Sequence, residues 1–182
     1  SAASDVYKRQ VPVREAIRQL EAEGMVTYER NVGASVTTYN REAYYESMDI
    51  VATVEANATA QSAPLLEPED LARAREINRR MSELDIHHDP DEFTQLNKEF
   101  HSVLFAKCPN ERLKNLVVDQ WKQLEYHRVS TFRYEPERAQ ESDREHEQLV
   151  NLIEAGAEPD YIEKVAREHR LTTLRSYREK NT

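Results

Sequence analysis

Three of the six histidines occupy positions that helical periodicity turns toward a protein interior, namely His101, His146 and His169. Each lies beside an apolar stripe in its own segment of the chain. The stripes are Phe93, Leu96, Phe100 and Leu104 around His101, Leu149, Val150 and Ile153 around His146, and Ile162, Val165 and Ala166 around His169. Asn97 stands one helical turn before His101, so both polar side chains face the same core.

These inward histidines favour a metal site, because neutral imidazole is the commonest metal ligand among side chains. A buried polar group without a partner costs about 1–3 kcal/mol, so three such groups on separate segments favour one shared partner. For any single one of them, a core histidine satisfied by a hydrogen bond is the better interpretation. The set therefore predicts a site only if the three segments fold together.

Prolines mark the elements that must position these side chains. Four of them, Pro68, Pro90, Pro136 and Pro159, each follow an acidic residue and precede an amphipathic run, which is typical of a helix start. Pro109 and Asn110 separate two further runs. We expect six helices, near residues 41–63, 68–85, 91–107, 110–133, 137–155 and 160–178. Because the connections are short, neighbouring helices should run antiparallel and form an all-α bundle.

Several other kinds of chemistry lack their sequence signals. No Gly-rich phosphate loop and no G-x-S-x-G motif occurs. A di-iron carboxylate centre would need two Glu-x2-His motifs, and the nearest match is the single pair Asp143 and His146. Cys108 is the only cysteine, which excludes an internal disulfide and favours a buried or half-buried thiol over a reactive one.

Residues 12–36 differ from the rest, because one amphipathic helix is followed there by two short β-prone runs. Pro12 suits the first position of this helix and Gly24 suits its end. We expect strands near residues 25–30 and 34–38 around a turn at 31–33. One side of the helix should pack and the other should read DNA. The packing side consists of Val13, Ala16, Ile17 and Leu20.

The ordered strings PVREAI, LEAEGMV and GASV resemble the C-terminal half of a GntR-family winged helix-turn-helix. The remainder resembles the FadR-like branch, which carries an FCD-type helical effector domain. The resemblance implies a mainly α protein, with a partial winged helix-turn-helix DNA-binding domain in residues 1–39. A six-helix bundle for ligand binding, metal binding and dimerisation would occupy residues 40–182. The first ten residues, SAASDVYKRQ, depart from the family, so we expect a truncated or chimeric start.

The resemblance implies that the intact protein binds operator DNA as a two-fold dimer on palindromic half-sites. Arginine at the start of a reading helix binds guanine edges or phosphates in the major groove. A glycine at the wing tip lets the backbone approach the sugar-phosphate chain. The implied contacts are Arg14, Arg18, Arg30 and Gly33, with Gln10 and Val11 tuning the choice of base.

The blocks NKEFH, REHEQLVNLIEAG and AREHRL match the metal-binding segments of FadR-like effector domains. By that resemblance the ligands of a divalent ion of the zinc or nickel class would be Asn97, His101, His146 and His169. The family often has Asp in place of Asn97. The amide lacks the charge of a carboxylate, so we expect weaker affinity or dependence on a bound anion. The ion would anchor a small carboxylate effector and would not act as a catalyst.

Candidate effector contacts follow the stripe of the fourth predicted bundle helix, which consists of Leu113, Leu116, Val117, Trp121 and Leu124. Arg128 would pair with the effector carboxylate, or its stem would run along the bundle to water. His127 is a second contact, with ordinary packing as its alternative. Glu55 is a third candidate contact. The family often has an Arg one turn before it, where Val51 stands here, which favours a different or less acidic ligand. His87 and His88 are expected to be solvated.

The charge distribution separates the two predicted parts. Residues 1–39 hold five basic and five acidic residues, so the whole net charge of −9 lies after residue 39. An acidic bundle repels nucleic acid, and any DNA contact must come from the N-terminal segment. No signal peptide or membrane-spanning run is present, so we expect a cytoplasmic protein. A metal-dependent enzyme and a stand-alone helical dimerisation module are the alternatives to a regulator, but neither needs the winged segment.

Overall fold

The computed structural model describes residues 2–22, 26–36, 41–85, 89–126 and 136–180. Seven helices and one two-stranded sheet are found in these ranges. The elements are α1 (Ala2–Ala22), β1 (Val26–Glu29), β2 (Gly33–Val36), α2 (Arg41–Ser62), α3 (Pro68–Glu83), α4 (Pro90–Phe105), α5 (Glu111–Tyr126), α6 (Pro136–Glu154) and α7 (Pro159–Lys180), with a 3₁₀ turn at Ala63–Leu65. The prediction of a mainly α protein is confirmed.

The bundle helices begin and end for local reasons that the sequence shows. Helices α3, α4, α6 and α7 each begin at a proline, whose fixed φ and missing N–H suit the first turn. The Asn110 side chain caps α5, because its Oδ1 accepts a hydrogen bond from the Leu113 N–H at 3.1 Å. Gly156, which has a φ of 68°, follows the last turn of α6 and terminates the helix. The Ala157 N–H then bonds the Leu152 carbonyl at 3.0 Å, as in a Schellman motif.

The bundle has two hydrophobic clusters. One is formed by α3, α4, α6 and α7 with Ala56 of α2 and Ala63 of the 3₁₀ turn, and the other by α2, α5, α7 and the end of α4. The predicted stripes of α4, α6 and α7 are buried or half-buried. On α5 the prediction is wrong for Leu116, whose side chain is 43% exposed. The α5 core face runs instead through Val117, Trp121 and Leu124, because helical rotation carries Leu116 past the edge of that face.

The N-terminal part is a helix against a hairpin, and its strands pair antiparallel from Val26 with Val36 to Glu29 with Gly33. Asn31 and Gly33 take left-handed backbone angles, with φ of 69° and 116°, which close the turn predicted there. The expected helix start at Pro12 is wrong, since α1 begins at Ala2 and Pro12 lies inside it. Residues 2–11 contain no glycine or proline, so the helix continues through them and gives up one backbone bond at Pro12.

The packing side predicted for α1 is only partly covered. Val13 is 58% exposed and Ala16 is exposed, whereas Ile17 and Leu20 are half-buried. A hairpin of two four-residue strands is too small to cover a helix of 21 residues.

Some predictions fall outside the described residues. These are the helix end at Gly24, the solvated pair His87 and His88, the effector contacts His127 and Arg128, and the last turns of the helix expected to reach residue 133. Cys108 is buried, in agreement with the expectation for it. Among the described helices, none combines the length and apolar character that crossing a lipid bilayer requires.

Candidate functional site

The three inward histidines meet in the interior of the bundle. His101 on α4, His146 on α6 and His169 on α7 are 2%, 0% and 6% exposed. The Nε2 atom of His101 lies 3.2 Å from Nε2 of His146 and 3.3 Å from Nε2 of His169. One ring nitrogen from each residue falls within 4.8 Å of the other two. Side chains from three helices thus present nitrogen atoms to one small volume, which we call the histidine triad.

The opposite nitrogen of each imidazole is held by an oxygen of a different residue. These pairs are His101 Nδ1 with Glu55 Oε1 at 2.9 Å, His146 Nδ1 with Asn78 Oδ1 at 3.0 Å, and His169 Nδ1 with Glu145 Oε2 at 2.5 Å. An oxygen acceptor at Nδ1 selects the tautomer with its proton there and leaves a lone pair on Nε2. In His146 that Nε2 also lies 3.4 Å from the Ser142 hydroxyl oxygen. This arrangement of outer partners is the one that orients histidine ligands around metal ions.

The environment keeps the imidazoles of the triad neutral. Burial lowers the pKa of His101 and His146 well below the usual value, and the positive charge of Arg170 acts in the same direction. Burial also lowers the pKa of His169, although its hydrogen bond to Glu145 opposes that shift. A neutral imidazole is the form that coordinates a metal. Close approach of three lone pairs is unfavourable by itself, and a cation between them would remove that repulsion.

Asn97 lies one turn before His101 on α4 and is 1% exposed. Its Oδ1 and its Nδ2 are both buried without a hydrogen-bond partner among the described residues. Buried amides are nearly always hydrogen-bonded, so an unpartnered one on the turn of α4 before His101 is consistent with a role in binding a ligand. The donor set of three imidazoles and one amide oxygen fits a divalent ion of borderline softness.

Glu55 and Arg170 form a buried ion pair behind His101. Arg170 donates from Nε and Nη2 to Glu55 Oε1 at 2.9 and 2.8 Å, and from Nη2 to Oε2 at 2.8 Å. Trp121 donates from Nε1 to the same carboxylate at 2.8 Å, and its ring lies 4.5 Å below the guanidinium. Both oxygens of Glu55 are therefore engaged within the protein. The glutamate positions His101, which differs from the direct effector contact that we expected.

A second ion pair, between the buried Arg138 and the half-buried Glu145, stands behind His169. Arg138 is 2% exposed and donates from Nη1 to Glu145 Oε1 at 2.9 Å, and its Nη2 bonds Glu145 Oε2. Its Nε donates to Thr173 Oγ1 at 3.0 Å. Burial alone would raise the pKa of Glu145, but the bonds from His169 and Arg138 outweigh it and set that pKa at about 2. Glu145 is therefore a charged acceptor that orients His169.

Sequence reasoning missed several residues of this site, which are Asn78, Trp121 in its polar role, Arg138, Glu145 and Arg170. A signal existed for some of them. Arg170 falls within the apolar stripe of α7, and Arg138 and Glu145 lie seven residues apart on one face of α6. A charged residue inside an apolar stripe predicts a buried ion pair, although its partner on another helix cannot be read from spacing.

The residues expected to read DNA occupy the helix and hairpin. Arg14, Arg18 and Arg30 are exposed, and Gly33 stands at the end of the turn. Arg14 and Arg18 line a surface groove between α1 and β1. Gln10 and Val11 lie on α1. These positions leave the guanidinium groups accessible to a ligand, and their role stays a prediction.

Comparison with known proteins places the chain in a family. The FCD domain family matches residues 46–172. A solved transcriptional regulator of the GntR family from Pseudomonas syringae pv. tomato str. DC3000 is 30% identical, with a TM-score of 0.58, over 91% of this chain and 68% of that one. No curated protein matches.

Two more distant structures share the fold. McbR/YncC of E. coli is 16% identical with a TM-score of 0.70, over 98% of this chain and 86% of its own. Lar, described as controlling expression of the Listeria monocytogenes agr system, is 18% identical with a TM-score of 0.69, over 92% and 79%. The FCD match spans more than half of the chain, and the Pseudomonas regulator is similar over most of it. The chain therefore belongs to the GntR family of transcriptional regulators, which are not enzymes, in the branch that carries an FCD domain.

Proposed function

We propose that this regulator senses a small carboxylate through a divalent metal ion held in its helical bundle. The ligands would be Asn97, His101, His146 and His169. The effector would bind at the ion and change the arrangement of the bundle, and with it the separation of two DNA-reading heads in a homodimer. Residues 1–39 would form the DNA-binding domain and residues 40–182 the sensing and dimerisation domain.

One observation carries this proposal, which is the convergence of three buried Nε2 atoms while every Nδ1 is held by an oxygen. Ordinary core histidines need only one or two hydrogen bonds each, and nothing requires them to share a point. The mainly nitrogen donor set favours zinc or nickel over magnesium or calcium, which prefer oxygen. When bound, the ion would supply open coordination positions for a carboxylate.

Two effector contacts of this proposal come from the sequence. Arg128 and His127 remain candidates from their place after the α5 stripe. Glu55 is assigned a positioning role, because its two oxygens are used by His101, Arg170 and Trp121. Val51, which stands where the resemblance would place an arginine, is fully buried in the α2, α5 and α7 cluster. The guanidinium beside Glu55 comes instead from Arg170 on α7.

The proposed DNA contacts are made by exposed arginines. Arg14 and Arg18 on α1 and Arg30 at the hairpin turn would contact operator DNA, with Gly33 allowing close approach of the wing backbone. Gln10 and Val11 would tune base choice. Regulators with two reading heads bind palindromic half-sites at a spacing that the dimer sets.

Metal analysis of the purified chain tests the proposal. We expect about one zinc or nickel ion per chain, and a chelator should lower the melting temperature of the protein. His146→Ala should abolish both the metal content and the effect of the chelator. The proposed centre would be contradicted if the chain took up no metal and its melting temperature did not change with added Zn²⁺ or with the chelator.

A further inference from the structure

The Asn97 side chain has two polar atoms, and neither has a hydrogen-bond partner within the part of the chain that the structure describes. A metal ion can satisfy only Oδ1, because the Nδ2 group is a hydrogen-bond donor and cannot coordinate. If the ion were the only partner, a buried N–H donor would remain unsatisfied, which is costly. The second partner must therefore be an acceptor, and it must lie next to the ion, since Oδ1 and Nδ2 share one carbon atom.

The charges around the histidine triad indicate what that acceptor is. The two glutamates that hold imidazoles of the triad are each matched by an arginine, the buried Glu55 by Arg170 and the half-buried Glu145 by Arg138. Three neutral imidazoles and one amide bring no negative charge to the ion. A divalent ion would then carry two uncompensated positive charges in the interior, and an uncompensated buried charge is strongly unfavourable. An anion bound at the ion would offset this charge and would also supply acceptor oxygens.

We propose that Asn97 recognises metal and effector together. Its Oδ1 is a ligand of the ion, and its Nδ2 donates a hydrogen bond to a carboxylate oxygen of an effector held at the same ion. This inference rests on the proposed metal centre and deepens it. An aspartate at position 97 would offer oxygens only, and its charge would repel a second carboxylate. Asn97 therefore favours the metal and anion complex over the metal alone.

Titration calorimetry on the full chain tests this assignment, with Zn²⁺ and sodium acetate as the probes. Wild-type protein should bind Zn²⁺ and then acetate. Asn97→Asp should bind Zn²⁺ about tenfold more tightly without acetate, and its Zn²⁺-loaded form should bind acetate about tenfold or more weakly. Asn97→Ala should weaken both steps. Asn151→Asp, the same change at an exposed position on α6, is the matched control and should leave both affinities unchanged.

Asn97→Asp should strengthen Zn²⁺ binding and weaken acetate binding, and these opposite changes are the decisive readout. If Asn97 had only a structural role, its replacement would weaken both steps. Acetate binding that is unchanged or stronger in Asn97→Asp would overturn the donor role. Unchanged Zn²⁺ affinity in Asn97→Ala would overturn the ligand role. Zn²⁺ binding by the wild type with no saturable acetate binding would overturn the inference and leave the metal centre standing. A wild type that binds no Zn²⁺ would refute the metal centre itself.

Discussion

Arg170 and Glu55 are 115 residues apart in the chain, yet they form a bidentate ion pair in which both side chains are nearly fully buried. The pair joins α7 to α2, the two helices between which the structure has its most extensive packing. Trp121 from α5 completes the carboxylate's hydrogen bonds. Such a pair adds little net stability over an apolar one, but loss of a single partner leaves a charge in the interior.

Arg170→Met should therefore destabilise the protein by about 3–5 kcal/mol, measured by urea unfolding. The double change Glu55→Gln with Arg170→Met should cost less than the sum of the single changes, because it leaves no unpaired charge. Arg79→Met is the control, since Arg79 pairs with Glu76 and Glu83 on the surface of α3. It should cost less than about 1 kcal/mol. Additive effects at positions 55 and 170 would contradict the pairing.

Asn78 is expected to control metal affinity without touching the ion. Its Oδ1 accepts from His146 Nδ1, and its Nδ2 donates to the Asp143 carbonyl at 2.9 Å. Asn78→Ala should weaken Zn²⁺ binding about 10- to 100-fold by releasing the imidazole from its orientation, as calorimetry would measure. Asn151→Ala is the matched change on the surface. Equal Zn²⁺ affinities in the two variants would show that the outer hydrogen bond has no role.

Asp143 should make stability depend on pH. Its Oδ1 is buried without a partner among the described residues, and burial raises the pKa of this carboxyl to about 7. The unfolded chain releases the proton near the ordinary aspartate pKa of 3.8, whereas the folded chain keeps it until about pH 7. Between these values the unfolded state binds fewer protons, so the free energy of unfolding falls as the pH rises.

Asp143→Asn removes this titration. The variant should be more stable than wild type at pH 8 by about 1–2 kcal/mol, a figure reduced for the partial exposure of the group, and the difference should shrink toward pH 4. Urea unfolding at several pH values measures it. Asp119→Asn, at an exposed position on α5, should show no such trend. A constant difference between Asp143→Asn and wild type across this range would rule out the raised pKa.

Arg14 is expected to contribute to operator binding. Arg14→Ala should weaken binding to a DNA site selected from random duplexes by about 1–3 kcal/mol. Arg112→Ala, at an exposed arginine of α5, should leave the affinity unchanged. Gel-shift titration measures both. Wild-type affinity in Arg14→Ala would remove Arg14 from the reading surface.

Local signals predicted the helices well, and cross-helix contacts could not be predicted. The prolines at positions 68, 90, 136 and 159 set helix starts through their own backbone geometry, which needs no tertiary information. The inward face of His146 followed from helical periodicity. The partner of Arg170 did not follow from periodicity. Arg170 on α7 pairs with Glu55 on α2, which is 115 residues away in the chain, so the pair depends on how these two helices pack.

The errors have physical causes of the same kind. Leu116 and Val13 are apolar residues at helical spacing, but each is exposed because no element among the described residues covers its side of the helix. The helix continues through Pro12 although proline disfavours interior positions, since the residues before it permit a helix. The charge balance of the site also needed coordinates. Only the structure shows that both glutamates beside the triad are already matched by arginines.

The separation of the triad along the chain links folding to metal supply. His101 and His146 are 45 residues apart, and His101 and His169 are 68 apart, so the unfolded polypeptide offers no comparable set of ligands. An ion bound there would cross-link three helices, and its bonds to the histidines would have to break before the bundle can unfold. The lifetime of this regulator in the cell would then rise and fall with free metal, apart from any effect on transcription.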